Sequence, residues 1–279
     1  MENARADLHL HTTASDGRLT PAQVVEEAVR IGLAAIAISD HDTVAGIEEA
    51  VSAGNRLGIE VVPAIEINTD IGAVEAHILG YFIDWKSEKL GKELQKLRNG
   101  RFERGKKIVE KLRALGIPIT LEQVLAIAGT GPICRPHIAR ALYEAGAVES
   151  PSDAFSRFLV RGAPAYVERT KLSPYDAVSI IVDAGGVAGF AHPAHTGHDE
   201  LIPLLMKSGL GAIEVFYPNQ PSETTLHYQA LARKYGLIAT GGSDAHGTDA
   251  EGGTSIGAAT ADIRAVEQLR EAAYLRRSK

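Results

Sequence analysis

A single cysteine, Cys134, in 279 residues excludes an internal disulfide and leaves no thiolate cluster for a metal. Any metal here must therefore be held by nitrogen and oxygen, and a lone thiol fits a reducing cytoplasm, the compartment expected for this chain. No apolar run is long enough to cross a bilayer, so a membrane is not expected as a partner. The N-terminus lacks a signal-type apolar core, and the first strand begins too early to leave room for a targeting segment. Low-complexity stretches are missing, as are repeats beyond an α/β rhythm. A positive excess is missing too: 29 Lys and Arg against 35 Asp and Glu give −6, which argues against duplex DNA. What is present is an ordinary globular composition, 45% hydrophobic and 23% charged. The length suits one large α/β domain, or one domain carrying an insert.

The chain is punctuated by helix starts and stops. Thr20-Pro21-Ala22-Gln23 has an N-cap, a proline at the first helical position and a capping-box partner. Thr120-Leu121-Glu122-Gln123 and Ser173-Pro174-Tyr175-Asp176 are similar. Helical stretches stop at Gly32, Gly58, Gly185, Gly209 and Gly236, and a short apolar strand follows each. Strand alternating with helix, and strands that are almost continuously apolar, imply a parallel sheet. Seven or eight strands in this rhythm suggest an α/β barrel of the TIM kind.

The rhythm breaks between about Asp84 and Arg161, where helix patterns follow one another without strands. From Lys86 to Leu115 there are eleven Lys or Arg and four acids, a local +7 that leaves −13 elsewhere. Leu90, Leu94, Leu97, Ile108, Leu112 and Leu115 form a helical stripe, and Arg101 and Gly105 fall on it. An inward arginine and a glycine permitting close approach suggest that this segment faces something anionic. Cys134-Arg135-Pro136-His137-Ile138-Ala139-Arg140 opens a later helix in the same region. Residues 85–161 are expected to be a helical insert capping a barrel made of 1–84 and 162–279. Arg98, Arg101 and Arg104 share one helix side, and with Arg135 and His137 they are the expected phosphate contacts.

The strongest pattern lies at the strand ends, where active sites of parallel α/β barrels sit. In the first strand Ala6, Leu8 and Leu10 alternate with Asp7, His9 and His11, so a two-residue period aims two imidazoles at one point. Asp16 follows in the next loop. The second strand ends in Ser39-Asp40-His41-Asp42, the third on Glu66, and the fourth carries Glu75 and His77 opposite Val74, Ala76 and Ile78. Later strands run into His192-Pro193 and into Gly242-Ser243-Asp244-Ala245-His246. Six of the ten histidines sit at such positions. Nine nitrogen or oxygen donors exceed the needs of one ion and suit two or three divalent ions, of manganese, zinc or iron. Glu66 and Asp244 are the natural bridging carboxylates, and Asp7 is placed to orient a ligand imidazole. Such ions stabilise an in-line phosphoryl displacement and turn water into hydroxide near neutral pH.

These motifs, from Asp7-Leu8-His9-Leu10-His11-Thr12 to Gly242-Ser243-Asp244-Ala245-His246, resemble those of the PHP (polymerase and histidinol phosphatase) family over the whole chain outside the insert. The resemblance implies a distorted (β/α)7 TIM-like barrel with three divalent metals at its mouth. It implies that His9, His11, Glu66 and Asp244 hold one metal, Asp16, His41 and His246 a second, and Glu66, His77 and His192 the third. It also implies a phosphoesterase with a cap whose arginines meet substrate phosphates. The expected substrate is a nucleotide 3′,5′-bisphosphate or the 5′ end of a short oligoribonucleotide, hydrolysed by metal-activated hydroxide, with no obligate protein partner. Histidinol phosphatase is an alternative, although its cationic substrate has no obvious use for an arginine-rich cap. An amidohydrolase usually has lysine where this chain has Glu66, and a non-catalytic metal-binding module would not need the complete ligand set.

Other conspicuous residues read more plainly. His195 and His198 lie in the loop after His192 and read as incidental surface histidines, with proton delivery to a leaving group as the alternative. His227 reads as a surface residue, Gly129-Thr130-Gly131-Pro132 as a turn, and Cys134 as a buried thiol without a paired base.

Overall fold

The computed structural model describes residues 4–72, 74–168, 172–247 and 254–278. The first half runs β1 (Arg5–Leu10), α1 (Pro21–Arg30), β2 (Ala35–Ile38), α2 (Ile47–Leu57), β3 (Glu60–Ile71) and β4 (Val74–Tyr81). Four helices follow: α3 (Glu88–Ala114), α4 (Leu121–Ala128), α5 (Arg135–Glu144) and α6 (Pro151–Ala154), the last leading into a π-helical turn at Phe155–Leu159. The rhythm then resumes with α7 (Pro174–Asp183), β5 (Val187–Phe190), α8 (Pro193–Thr196), α9 (Leu201–Ser208) and β6 (Leu210–Phe216). It ends with α10 (Ser222–Tyr235), β7 (Ile238–Gly241), β8 (Ala261–Asp262) and α11 (Arg264–Arg277).

Local signals account for the boundaries. Thr20 and Thr120 each form the reciprocal capping box with the glutamine three residues on. Gly58, Gly209 and Gly236 end α2, α9 and α10 with left-handed backbones. Strands β2 and β5 are buried along their whole length, as strands covered on both faces must be.

The strands form an eight-stranded sheet in the order β7-β6-β5-β4-β3-β2-β1-β8. It closes into a barrel where the residues after β7 meet β1: Asp244 N–H donates to His9 O at 2.9 Å, and His11 N–H to Ala245 O at 3.1 Å. Two strands depart from the expected parallel sheet. β4 runs antiparallel to β3 and β5, because Ile71 pairs with Val74 and so short a link leaves no room for a crossover helix. β8 pairs antiparallel with β1. The reversal of β4 brings its first half, with Glu75 and His77, to the end of the barrel where the other strands finish.

The simple alternation expected in β1 is interrupted as well. The β1–β2 register shifts between Asp7 and Leu10. Ala6 and Leu8 pack with Ala35, Ala37 and α11 residues such as Leu269, whereas Leu10 packs with Val24, Ile36 and Ile38 beneath α1. A bulge that re-aims side chains is common beside active sites. Helix α11 covers the other end of the barrel, where Arg276 donates to Gly209 O at the start of β6 and Arg270 pairs with Glu60 at the start of β3.

Helices α3–α6 have an apolar cluster of their own, including Ile108, Leu112, Val124, Ile138 and Leu142. Gly105 permits close approach, as expected, but to Ile133 within the cap rather than to an anion: a Cβ there would lie 2.8 Å from Ile133 Cγ2. Leu115, assigned to the buried stripe, is 49% exposed beyond the end of α3. Among the described residues no helix is long and apolar enough to cross a membrane.

Candidate metal centre

All nine candidate ligands converge at one mouth of the barrel. Three groups can be drawn in which one donor atom per residue lies within 4.8 Å of the others. They are His9, His11, Glu66 and Asp244; His11, Asp16, His41 and His246; and Glu66, His77 and His192. The second group gains His11 over the expected set. Glu66 lies at the middle: its Oε2 is 2.9 Å from His41 Nδ1 and 3.3 Å from both His9 Nε2 and His11 Nε2. Its Oε1 is 2.8 Å from His77 Nδ1 and 3.2 Å from His192 Nε2. Asp244 Oδ1 stands 3.0 Å from His11 Nε2 and 3.4 Å from His9 Nε2.

The donors fit divalent metal ions better than they fit one another. Among the described residues, His9 Nε2, both ring nitrogens of His11, Asp16 Oδ1, His41 Nδ1, Glu66 Oε2 and His192 Nδ1 are buried without a hydrogen-bond partner. Buried polar atoms are nearly always paired, so a cluster of orphans at one point is what a cation-binding site looks like. The backbone is strained here too: Asp42, His192 and Asp244 have φ of 52°, 26° and 51°, three of the five positive values at non-glycine described residues.

Electrostatics hold the carboxylates ionised. Burial opposes ionisation of Glu66, but His41, His9 and His77 around it keep its carboxyl well below the usual range. The same balance holds at Asp16, with His41 and His246, and at Asp244, with His9 and His11. Burial also opposes protonation of His11, yet Asp244 and Glu66 push its pKa up to about 10. At His77 burial prevails and the pKa falls to about 4.

The imidazoles are held in place from behind, and Asp7 acts there on the backbone, accepting the His9 N–H at 3.3 Å. Asp7 accepts from Ser243 N–H at 2.9 Å, Ser243 Oγ–H at 2.6 Å and Gly257 N–H at 2.8 Å, and so ties β1 to the loop after β7. The orienting role falls to Glu214 on β6, which accepts from His9 Nδ1 at 3.1 Å and from His192 N–H at 2.7 Å. An acid between Ile213 and Val215 in an otherwise apolar strand was the signal for it, since a fully buried carboxylate needs partners. Tyr217 donates to Asp244 Oδ2 at 2.9 Å, and Asn68 Nδ2 stands 2.9 Å from His77 Nε2. His195, read as incidental, lines the mouth, with its ring 5.5 Å from His192 and edge-on to Tyr217 at 4.7 Å. His198 and His227 are surface residues paired with Glu200 and Asp199.

The expected phosphate contacts divide. Arg101 reaches from α3 to Asp42 Oδ2 at 2.6 Å and Asn68 Oδ1 at 2.7 Å. Arg135, at the start of α5, reaches Glu75 at 3.2 Å. Arg104 lines the same cleft as Arg101 and donates to Val167 O, while Arg98 donates to Thr130 O. His137 is buried, and its Nδ1 accepts the Cys134 N–H at the start of its own helix. Cys134 is buried against Arg101 and its thiol is pushed up by burial, as expected for a structural cysteine.

Comparison with known proteins agrees with this geometry. A model of the PHP domain matches residues 7–126. The 3′,5′-nucleoside bisphosphate phosphatase of Chromobacterium violaceum is 35% identical over 260 residues, which span 91% of each chain. The chain belongs to the PHP family. The PHP match ends inside α4, but relatives extend across the later helices and the second half of the barrel. Among them the 5′-3′ exoribonuclease Rnm of Escherichia coli is 35% identical over 86% of this chain and 84% of its own. A candidate metal-dependent phosphoesterase of Bifidobacterium adolescentis, known from its crystal structure, superposes with a TM-score of 0.88 at 33% identity over 96% of both chains. The protein is thus a PHP metal-dependent phosphoesterase with a TIM-like barrel.

Proposed function

We propose that this phosphoesterase hydrolyses phosphate esters of nucleotides, either in nucleoside 3′,5′-bisphosphates or at the 5′ ends of short RNA. One observation carries the reading: Arg101 and Arg135 descend from the cap to the carboxylates Asp42 and Glu75 at the rim. A phosphate entering beside the metal centre can compete for both guanidiniums, whose planar fork suits it bidentately. The names of the Chromobacterium violaceum and Escherichia coli relatives support a nucleotide substrate.

His9, His11, Asp16, His41, Glu66, His77, His192, Asp244 and His246 would hold up to three divalent ions, with Glu66 shared between groups. Bound there, such ions neutralise the non-bridging oxygens and supply a nucleophilic water at neutral pH. The chain does the rest. Glu214 keeps His9 and the His192 backbone fixed, Tyr217 restrains Asp244, and the cap arginines align a phosphate remote from the reacting one. Alignment of this kind lowers the barrier by holding phosphorus in line with its attacker.

The test is manganese-loaded turnover of 3′,5′-bisphosphoadenosine beside AMP, histidinol phosphate and a short 5′-phosphorylated RNA. Preference for the bisphosphate or the RNA is the expected result. Equal rates on all four substrates would remove the role given to the cap arginines.

A further inference from the structure

Beside the metal centre lies a second cavity of about 460 Å³, larger than the mouth of about 340 Å³. It is enclosed by the loop after β1 and by α5 and α6 of the cap, and its lining includes Asp16, Arg18, Arg140, Tyr143 and Phe155. Asp16 belongs to both places: it lines this cavity, and it stands 3.5 Å from His246 in the second ligand group. The cavity therefore adjoins the ligand cluster at one buried carboxylate.

The floor is rigid. Ser15 Oγ–H donates to Asp40 at 2.6 Å, Gly17 N–H to Thr12 O at 2.9 Å, and Arg18 N–H to His246 O at 2.8 Å. The wall presents aromatic rings. Tyr143 is 46% exposed, and Phe155 begins the π-helical turn, a distortion found often at functional sites. The Arg135 guanidinium lies 6.0 Å from the Phe155 ring while bonding Glu75 at the mouth, so it links the two spaces. Among the described residues Arg140 pairs with Glu144, an exposed contact of little strength that an anion can replace.

Rings with guanidiniums beside them match single-stranded nucleic acid held by base stacking and by charge along its backbone. We propose that this cavity receives the base and phosphodiester of the nucleotide that follows the one being cleaved, with Tyr143 and Phe155 as stacking faces and Arg18 and Arg140 beside the backbone. The assignment rests on the nucleotide reading above. A mononucleotide bisphosphate has no second base and leaves the cavity without a ligand, so the site separates an enzyme for oligonucleotides from one for single nucleotides.

The experiment compares KM for a 5′-phosphorylated trinucleotide and for 3′,5′-bisphosphoadenosine in the manganese-loaded wild type, Tyr143→Ala and Tyr143→Phe. Tyr143 is on the surface, so both variants should fold, and circular dichroism checks that they do. Tyr143→Ala should raise the trinucleotide KM on the order of tenfold, the loss of one stacked base, with kcat little changed. Tyr143→Phe keeps the ring and should stay within about twofold of wild type. An unchanged trinucleotide KM in Tyr143→Ala overturns the proposal, and so does an equal rise for the bisphosphate. A wild type that cleaves the bisphosphate but not the trinucleotide overturns it while leaving the nucleotide reading intact. One that cleaves neither overturns both.

Discussion

Glu214 Oε1 accepts the Nδ1–H of His9 at 3.1 Å, so the tautomer of His9 is fixed with Nε2 facing Glu66 and Asp244. A carboxylate can only accept, and its other oxygen is already taken by the His192 N–H. In Glu214→Gln one of these two donors must face an amide N–H. Either the His192 N–H loses its acceptor or His9 changes tautomer and turns an N–H toward the ligand cluster. Manganese or zinc affinity, measured by isothermal titration, should fall 10- to 100-fold, the usual effect of losing a group that orients a ligand. Unchanged affinity would reduce Glu214 to an ordinary buried acceptor.

Metal removal should be visible in stability as well as in activity. The orphaned donors around Glu66 are buried and rigid, so an ion that binds them in the folded chain and ignores the unfolded one shifts the equilibrium by mass action. At 100 times Kd the gain is about 2.7 kcal/mol. For a chain of this size that raises the midpoint by roughly 5–10 °C. Calorimetry after chelation, and again after adding manganese, measures the difference. No shift with either manganese or zinc would mean that the nine residues do not form a metal site in solution.

The convergence of the nine candidate ligands was legible in the sequence because they sit at strand ends, and a barrel brings strand ends together whatever the details between them. The reversed direction of β4 was not legible, since the alternation around Glu75 and His77 has the same period in either direction. The shift in β1 escaped for a related reason: Ala6, Leu8 and Leu10 read as one face until the register with β2 shows otherwise. Asp7 and Glu214 are both acids on barrel strands, and only the fold shows that Asp7 meets Ser243 and the His9 backbone while Glu214 meets the His9 ring. In the cap the inward placement of Arg101 followed from its position on the helical stripe. Its protein partner, Asp42, lies 59 residues away in sequence, beyond any local pattern.

Arg101 joins the cap to the barrel, so its loss should be felt in two ways. Its side chain is only 15% exposed and that of Asp42 only 5%, and removing one partner from such a buried pair costs about 3 kcal/mol. Arg101→Ala should therefore unfold at lower urea, and its KM for 3′,5′-bisphosphoadenosine should rise on the order of tenfold, for one lost charge-assisted contact. Arg101→Lys keeps the charge without the fork and should fall between the two. A variant with lowered stability but unchanged KM would assign Arg101 to holding the cap alone.

The closure of the barrel depends on the missing side chain of Gly242. A Cβ there would stand 2.5 Å from the His9 backbone nitrogen, against backbone that cannot yield without opening the junction between β7 and β1. The same junction carries Asp244 N–H to His9 O and so sets the distance from Asp244 to His11. Gly242→Ala should cost about 3 kcal/mol, at the upper end for overpacking, and should weaken metal binding because Asp244 is displaced. Gly91, in the first turns of α3, is the opposite case: a Cβ there meets nothing within 4 Å. Gly91→Ala should gain up to about 1 kcal/mol from helix propensity with metal affinity unchanged. Urea midpoints and metal titrations on the two variants test the contrast, and equal behaviour would show that the β7–β1 junction can relax.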